Sequence, residues 1–181
     1  LRRRGVLDVA HQADIRALIM EWYDTYSHVL VKYLAKMLND PYQAEDLMQE
    51  TFIKAYQYAL RDEIQYPKTF LFRIAHHLAI DHVRKQRPLQ MIKELVVKDS
   101  RPSIETIIEI KEESKELYEA ILSLKPAYRQ VIILRKIEEF SIKETAMILD
   151  WSESKVKSTL FRATRALEKK LIKGGYIHET T

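Results

Sequence analysis

The residues best suited to chemistry lie near the C-terminal end, where bases, hydroxyls and one aromatic ring alternate with apolar residues. At the 100° per residue of an α-helix, Val156, Leu160, Ala163 and Leu167 fall within about 60° of one another and form an apolar stripe. Arginine and lysine can donate to guanine edges, serine can donate or accept, and phenylalanine can touch a thymine methyl group. The opposite face carries these residue types at Ser154, Lys155, Lys157, Ser158, Phe161, Arg162 and Arg165.

A solvated basic face is the alternative interpretation of this helix, and charge alone does not decide between the two. Phe161 favours a DNA-reading face, because an aromatic ring centred among bases and hydroxyls gains nothing from water. Lys169, Lys170 and Lys173 continue the positive charge and are expected to meet phosphate, which positions a helix without reading sequence.

A second group of residues is acidic: positions 40–63 hold six acidic and two basic side chains. At helical spacing Asp46, Gln49, Glu50 and Ile53 share one face, opposite an apolar face. One isoleucine ringed by acidic and amide groups is typical of a protein-binding surface with an apolar anchor. An ordinary acidic exterior is the alternative, and the residues alone favour it. The expected core face consists of Ala44, Met48, Thr51, Phe52, Ala55 and Ala59.

A third group lies in a helix whose apolar residues cover a wide arc, as in the central helix of a bundle. Its narrower polar strip carries Arg73, His76, His77, Asp81 and Arg84. His77 and Asp81 are spaced i,i+4, but no convincing third ligand accompanies them, so no metal or cofactor is expected. The basic end formed by Arg84, Lys85 and Arg87 suits the helix dipole or a phosphate, and Tyr58 and Tyr66 could stack on unpaired bases.

The composition limits the elements that can position these groups. The chain of 181 residues has three glycines, and none lies between Val6 and Lys173. This disfavours a P-loop, a doubly wound nucleotide-binding fold and a nucleophile elbow, which need glycine in tight turns. The absence of cysteine excludes disulfides and thiolate zinc sites, and no apolar run is long enough to span a bilayer. We therefore expect a cytoplasmic, all-α protein.

Helix signals divide the chain into two small helical domains joined by a flexible linker. Three helices are predicted first, ending where Pro88 stops the third, and four more follow from an N-cap at Ser103. The predicted helices are Ile15–Leu38, Tyr42–Leu60, Thr69–Gln86, Ser103–Leu124, Ala127–Ile137, Ser141–Leu149 and Ser152–Ile172, with Gly174 and Gly175 as the final stop. The predicted divisions are a tail at 1–14, a domain at 15–88, a linker at 89–102 with a short helix around Ile92–Val97, a domain at 103–175 and a tail at 176–181.

The last two predicted helices are joined by Asp150-Trp151-Ser152, which is the spacing of a helix-turn-helix. The face described first belongs to the second of these helices, the one that reads DNA in this motif. The sequence therefore predicts a DNA-binding domain at its C-terminal end.

The ordered set of these segments resembles the extracytoplasmic-function (group IV) sigma factors of bacterial RNA polymerase. Residues 44–52, AEDLMQETF, resemble the family's helix that docks on the polymerase clamp, and residues 70–81, FLFRIAHHLAID, its promoter-melting and minus-ten helix. Three later segments resemble its minus-thirty-five domain: residues 128–135 (YRQVIILR), 140–146 (FSIKETA) and 156–163 (VKSTLFRA).

The resemblance implies a role for each matching group of residues. Asp46, Leu47, Gln49, Glu50 and Ile53 would bind the clamp helices of core RNA polymerase. The implied minus-ten DNA contacts are Tyr66, Arg73, His76, His77, Arg84, Lys85 and Arg87, with His77 near the flipped base. The implied minus-thirty-five contacts are the seven residues of the face described first. The resemblance also implies an anti-sigma partner, often membrane-bound, and no catalytic site or small-molecule substrate.

Three departures from the family pattern concern promoter specificity rather than class. Phe70 stands where the family frequently has tryptophan. The family's usual adjacent Leu-Pro is separated by one residue here, as Leu124-Lys125-Pro126. Asp150 replaces the usual glycine or asparagine of the turn. Aspartate tolerates the left-handed backbone region better than most residues, so the turn is expected to form.

Three other functions remain as alternatives. A stand-alone helix-turn-helix regulator would need a palindromic site and leaves the acidic face unexplained. A helical enzyme would rely on His76, His77 and His82, which lack an accompanying nucleophile, base and oxyanion site. A helix lying on a membrane surface would need a broad apolar side that the basic faces lack.

Overall fold

The computed structural model describes the backbone of residues 2–93 and 112–174, and the side chains of residues 11–86 and 115–174. Within those ranges the chain is helical and contains no strand, and the described residues fall into two compact units. The elements are α1 (Arg2–Leu38), α2 (Pro41–Ala59), α3 (Pro67–Lys93), α4 (Glu112–Leu122), α5 (Pro126–Ile132), a π-helical segment (Ile133–Ile137), α6 (Ile142–Leu149) and α7 (Glu153–Lys173). The all-α prediction is confirmed.

The N-terminal unit is a three-helix bundle in which α1, α2 and α3 each pack on the other two. Its largest fully buried side chains are Tyr33, Phe72, Leu30, Leu34 and Leu71. The rings of Tyr33 and Phe72 lie 5.0 Å apart between centroids and tilt by 50°, a common aromatic arrangement. These residues fix the centre of the bundle where α1 crosses α3.

The junction between α1 and α2 forms where the sequence predicted it. Asn39 has a positive φ of 53°, and Asp40 caps α2 by accepting a hydrogen bond from the backbone N–H of Gln43 at 3.1 Å. Pro41 follows at the first helical position, where its missing N–H costs nothing. The predicted apolar face of α2 is entirely buried.

Two helix boundaries of this unit differ from the prediction by more than two residues. Helix α1 begins at Arg2, so the residues expected to form a tail continue the helix. Helix α3 runs through Pro88 and ends at Lys93, although Pro88 was expected to stop it. Proline removes one backbone donor, but its fixed φ is compatible with helix, so it disfavours continuation without forbidding it. Residues 94–102, which form most of the predicted linker and hold the greater part of the short helix expected around Ile92–Val97, lie outside the described residues.

The C-terminal unit is organised around α7, which packs against α4, α5 and α6. Its buried core contains Val131, Ile133, Leu134, Ile148 and Val156. Helix α4 ends two residues before the predicted Leu124, and the predicted N-cap Ser103 lies outside the described residues. Helix α7 ends at Lys173, and its C-cap Gly174 keeps a right-handed conformation with φ −75°.

The single helix predicted from Ala127 to Ile137 is α5 followed by a π-helical segment. The backbone N–H of Glu138 donates to the carbonyl of Ile133 at 2.9 Å, one residue further than in an α-helix, and Glu139 then takes a φ of 59°. Phe140 beyond this turn is buried, which returns the chain to the core before α6 begins. A wider helical turn leaves no mark in the apolar periodicity, and the sequence did not reveal it.

Arg129 of α5 ties the C-terminal end of α4 in place. Its guanidinium donates to the backbone carbonyls of Leu122 and Leu124, which lack partners inside α4. Tyr118 of α4 lies nearby and is 8% exposed, and its hydroxyl finds no hydrogen-bond partner among the described residues. Burial raises the pKa of Tyr118 far above its usual value, and the charge of Arg129 opposes that rise. Burial also lowers the pKa of Arg129.

Candidate nucleic-acid interfaces

Helix α7 presents the basic face that the sequence predicted. Phe161 is 62% exposed despite its apolar ring, and the polar members of the face are all exposed with it. Val156 and Ala163 of the predicted stripe are fully buried. The structure thus places all seven predicted residues together on the solvent side: Ser154, Lys155, Lys157, Ser158, Phe161, Arg162 and Arg165.

The stripe behind this face differs from the prediction in detail. Leu160 and Leu167 are only half-buried, whereas Thr159 is 4% exposed and belongs to the core. Leu160 lines a groove that also contains Ile142 and Phe161, with Lys136 and Arg165 among its basic residues. The helix is therefore slightly rotated from the simple helical wheel, and a groove lined by both apolar and charged side chains runs along the basic face.

Contacts with neighbouring rings and with the helix backbone restrain side chains of this face. The Arg165 guanidinium lies 4.9 Å from the centroid of the Phe161 ring, within cation–π distance. The Nε–H of Arg162 donates to the carbonyl of Ser158 at 3.2 Å. At the start of the helix the ammonium of Lys155 lies 4.1 Å from the Trp151 ring centroid. These contacts hold long side chains in place before any ligand arrives.

The turn between α6 and α7 has the geometry of a helix-turn-helix. Ser141 and Glu144 form a reciprocal capping box at the start of α6, and Ser152 accepts from the N–H of Lys155 to cap α7. Asp150 lies between the helices in the left-handed region, with φ 52° and ψ 44°. Aspartate is one of the few non-glycine residues that enter this region readily. The expectation that Asp150 forms the turn is confirmed.

Helix α3 presents the second candidate face. Arg73, His77, Arg84 and Lys85 are exposed, and Tyr66 just before the helix is 68% exposed. Arg84 pairs with Asp81 of the same helix at 3.0 Å, with both side chains largely in solvent. The side chain of the remaining predicted member, Arg87, lies outside the described residues.

His76 does not belong to this face, and its predicted contact with DNA is wrong. The residue is 4% exposed, and its Nδ1 is hydrogen-bonded to the Tyr33 hydroxyl at 2.9 Å. Because successive helical residues are turned by about 100°, His76 points into the bundle while His77 points out. The broad apolar arc of α3 hid this difference in the sequence. Nothing in the sequence marked Tyr33 as the partner.

Aromatic residues accompany the α3 face. Tyr58 at the end of α2 is 52% exposed and meets the ring of Phe70 edge to face, with centroids 5.7 Å apart. Tyr66 stands in the loop that precedes α3. Flat exposed rings can stack on bases of any sequence, which suits single strands more than closed duplex.

The acidic face of α2 forms as predicted except at one residue. Asp46, Gln49 and Ile53 are exposed, with Ile53 at 59%, and Glu50 is paired with Lys54 at 3.7 Å. Leu47 is 6% exposed, so the structure contradicts its expected direct contact with a partner. Leu47 lies within one helical turn of the buried Ala44 and Thr51, and its side chain is therefore part of the core.

The described residues 11–86 and 115–174 contain no cluster of three or more histidine, aspartate, glutamate or cysteine side chains able to hold a metal. Among the helices of the described ranges, none is both long enough and apolar enough to cross a membrane.

Two family models match the chain, one in each unit. Residues 22–88 match Sigma-70 region 2, and residues 114–167 match Sigma-70, region 4. The ECF RNA polymerase sigma factor SigX of Bacillus subtilis (strain 168) is 37% identical over 158 residues, which cover 81% of this chain and 80% of SigX. SigW of the same organism, also an ECF RNA polymerase sigma factor, is 33% identical over 162 residues, 82% of this chain and 86% of SigW.

Two solved structures share the fold. The sigma factor RpoE of Bartonella quintana, solved with the anti-sigma factor NepR, superposes with a TM-score of 0.70 at 22% identity, over 84% of this chain and 95% of that one. CnrH, solved with the cytosolic domain of CnrY, gives a TM-score of 0.63 at 21% identity, over 92% of this chain and 95% of that one.

The pairing of both regions in one chain disfavours a stand-alone helix-turn-helix regulator. It also disfavours a helical enzyme, because SigX and SigW, which align over most of this chain, are named as polymerase sigma factors. The chain belongs to the extracytoplasmic-function sigma factors, the specificity subunits that join core RNA polymerase to promoter DNA and have no catalytic site of their own.

Proposed function

We propose that the exposed face of α7 reads the minus-thirty-five element as duplex DNA in the major groove. The observation that carries this proposal is the exposure of bases, hydroxyls and Phe161 on one face of the second helix of a helix-turn-helix. Arg162 has its Nε–H engaged with its own helix, which leaves the terminal guanidinium nitrogens for a guanine. Ser154, Lys155, Lys157, Ser158, Phe161 and Arg165 complete the proposed contact surface.

The α3 face binds the minus-ten element once its strands have separated. Tyr66 supplies an exposed ring for a base, and His77 supplies a polar ring in the middle of the exposed strip. Arg73, Arg84 and Lys85 supply positive charge for the backbone of the strand. Capture of unpaired bases favours the open duplex over the closed one and so assists promoter melting.

The acidic face of α2 binds the clamp helices of core polymerase. Ile53 is the apolar anchor, and Asp46, Gln49 and Glu50 form the polar rim around it. Buried Leu47 supports this surface from beneath and does not touch the partner.

The two DNA contacts act together because one chain carries both. Residues 15–88 form the polymerase and minus-ten domain, residues 103–175 the minus-thirty-five domain, and residues 89–102 join them. Binding at one element raises the effective concentration of the other domain at its own element, so two modest affinities combine. The matches to regions 2 and 4 support this division.

An anti-sigma factor controls the chain by covering these surfaces. Two kinds of observation support it. The two solved structures described above were determined with a bound partner, named an anti-sigma factor for RpoE, and a groove that exposes Leu160 and Ile142 runs along the basic face of α7. The chain works in the cytoplasm with core polymerase, and it is held at the membrane when its anti-sigma factor is anchored there.

Reconstitution with core RNA polymerase on a library of promoter DNA tests the proposed function. The full chain is expected to bind core and to direct initiation from a restricted set of sequences with two conserved elements. Ile53→Ala should weaken core binding, whereas Met20→Ala, which truncates an exposed apolar residue on α1, should not. Failure to bind core, or initiation without sequence preference, would contradict the proposal.

A further inference from the structure

The hydrogen bond between Tyr33 and His76 is a polar contact in the centre of the N-terminal bundle. Tyr33 on α1 is fully buried and His76 on α3 is 4% exposed, with 2.9 Å between the hydroxyl oxygen and Nδ1. The two residues are 43 positions apart in the chain, so the bond is a tertiary link between two helices. Because both side chains are buried, neither belongs to the DNA and polymerase contact surfaces proposed above.

Apolar side chains flank this pair on both helices. Tyr33 packs its ring on Phe72, the adjacent residue Leu34 is fully buried on α1, and Leu71 and Ala75 are fully buried close to His76 on α3. Aliphatic contacts are non-directional and tolerate a small rotation of one helix against another. A hydrogen bond weakens steeply when its distance or angle changes. The Tyr33–His76 bond therefore restricts the rotation of α3 more sharply than the packing around it.

Rotation of α3 matters because the proposed DNA contacts are on the same helical turn. His77 is the next residue and Arg73 lies three positions before His76, and both side chains are exposed. The His76 and His77 ring centroids are 6.0 Å apart. With side-chain tips about 5–6 Å from the helix axis, a rotation of about 20° moves them by about 2 Å. Binding sites need their groups held within about 0.5 Å of the productive geometry.

We propose that Tyr33 and His76 are positioning residues for the minus-ten interface. Their buried hydrogen bond sets the rotation of α3 on α1, and through it the placement of Arg73 and His77 against the unpaired strand. The proposal rests on the function assigned to the α3 face, and it assigns to His76 an indirect role in place of the contact that its burial rules out.

The test uses the full chain bound to saturating core polymerase. Tyr33→Phe removes only the hydroxyl and keeps the ring on Phe72, His76→Leu removes the partner, and His76→Asn places an amide near the position of Nδ1. Each holoenzyme is titrated with a DNA carrying an unpaired minus-ten strand, and separately with a minus-thirty-five duplex. Circular dichroism and holoenzyme formation establish that every variant is folded at the assay temperature.

We expect Tyr33→Phe and His76→Leu to lower affinity for the unpaired strand about tenfold, with minus-thirty-five binding unchanged. His76→Asn should recover most of that affinity, which a role limited to filling space would not produce. Equal losses on both DNAs, or no loss in folded Tyr33→Phe holoenzyme, would overturn the positioning role.

Variants of exposed α3 residues distinguish a failure of the positioning role of Tyr33 and His76 from a failure of the proposed function. If Arg73→Ala and His77→Ala weaken minus-ten binding but the two buried variants do not, the α3 interface stands and the positioning role is wrong. If the surface variants also bind normally, the assignment of the α3 face is itself wrong.

Discussion

The two candidate DNA faces are built in different ways. The face on α7 is dense in bases and hydroxyls, and contacts among neighbouring side chains hold several of them in place. The face on α3 has fewer bases and is accompanied by three exposed rings: Tyr58 at the end of α2, Tyr66 before α3 and His77 within it. A face restrained at its surface suits a duplex of fixed shape, whereas rings set on a firmly packed helix suit a flexible single strand.

The two faces also differ in what fixes the orientation of the helix that carries them. On α7, the capping Ser152 and the left-handed Asp150 set the start and direction of the helix, so local geometry aims the face. On α3, the buried contact from His76 to Tyr33 comes from another helix. Damage to the turn should therefore affect one face, and damage to the bundle core the other.

The largest expected effects come from removing one arginine from each face. Arg162→Ala should cost about 1–3 kcal/mol in minus-thirty-five binding and relax the preference at one base pair, because a bidentate base contact is lost. Arg73→Ala should instead weaken binding of the unpaired minus-ten strand and leave the minus-thirty-five preference intact. Titrations of holoenzyme with each DNA, including single base-pair changes, measure both effects.

Lys169→Ala is the matched control on α7, since its exposed ammonium is expected to meet only phosphate. It should weaken binding to all sequences alike and reduce the salt dependence by about one phosphate contact. If Arg162→Ala also weakened binding to all sequences alike, the distinction between residues that contact bases and residues that contact only phosphate would be wrong.

A smaller effect is expected at the turn. Asp150→Ala should lower the free energy of unfolding of the C-terminal unit by about 1 kcal/mol, because a β-carbon without a helpful polar group is strained in the left-handed region. Asp150→Gly avoids that strain. The two tryptophans serve as separate probes, Trp151 beside the turn and Trp22 in the N-terminal core, so fluorescence during denaturation distinguishes the units. A shift at Trp22 alone would contradict local action of the turn.

A weaker, salt-dependent effect is expected on α3. Asp81→Asn removes the carboxylate that pairs with Arg84 in solvent, and it removes a negative charge next to the DNA. Affinity for the unpaired strand should rise by up to about fivefold at low salt and return to the parent value at high salt. Glu168→Gln near the α7 groove is the control and should not change minus-ten binding. An increase that persists at high salt would point to a cause other than this ion pair.

The smallest effect at neutral pH is expected for Tyr118→Phe, because the hydroxyl is buried without a hydrogen-bond partner among the described residues. At alkaline pH the parent chain should differ from the variant. The folded-state pKa of Tyr118 is raised, so above about pH 10 the unfolded chain loses a proton that the folded chain keeps.

The parent chain should therefore lose stability in the C-terminal unit as the pH rises, at about 1.4 kcal/mol per pH unit while that difference in protonation lasts. Tyr118→Phe should lack this loss, and Trp22 in the N-terminal unit should report no difference between the two proteins. Denaturant titrations at pH 8, 10 and 11 (about two units below to one unit above the usual tyrosine pKa) measure it. Identical pH dependence in both proteins would exclude Tyr118 as the cause.

Much of the fold was predictable because its signals are local. Ser141 and Ser152 began the last two predicted helices, and residues 39–41 separated the first two. The structure places the caps of α2, α6 and α7 at these positions. Helical spacing also predicted which side of α2 is buried and which side of α7 is exposed, since each helix has a clear apolar face. The persistence of α3 beyond Pro88 was missed, because proline weakens a helix by an amount that the rest of the helix can offset.

The amino-acid sequence by itself determined that this protein is helical, where most helices begin, and which faces of α2 and α7 carry charge. Only the tertiary structure decided that His76 and Leu47 are buried, that Thr159 replaces Leu160 in the core, and that Tyr33 is the partner of His76. The reason is physical: caps and helical periodicity depend on residues within a few positions of one another. The orientation of a helix with a broad apolar arc depends on contacts with helices distant in the chain. The spacing of residues in the sequence does not indicate which of these distant residues will be its neighbours.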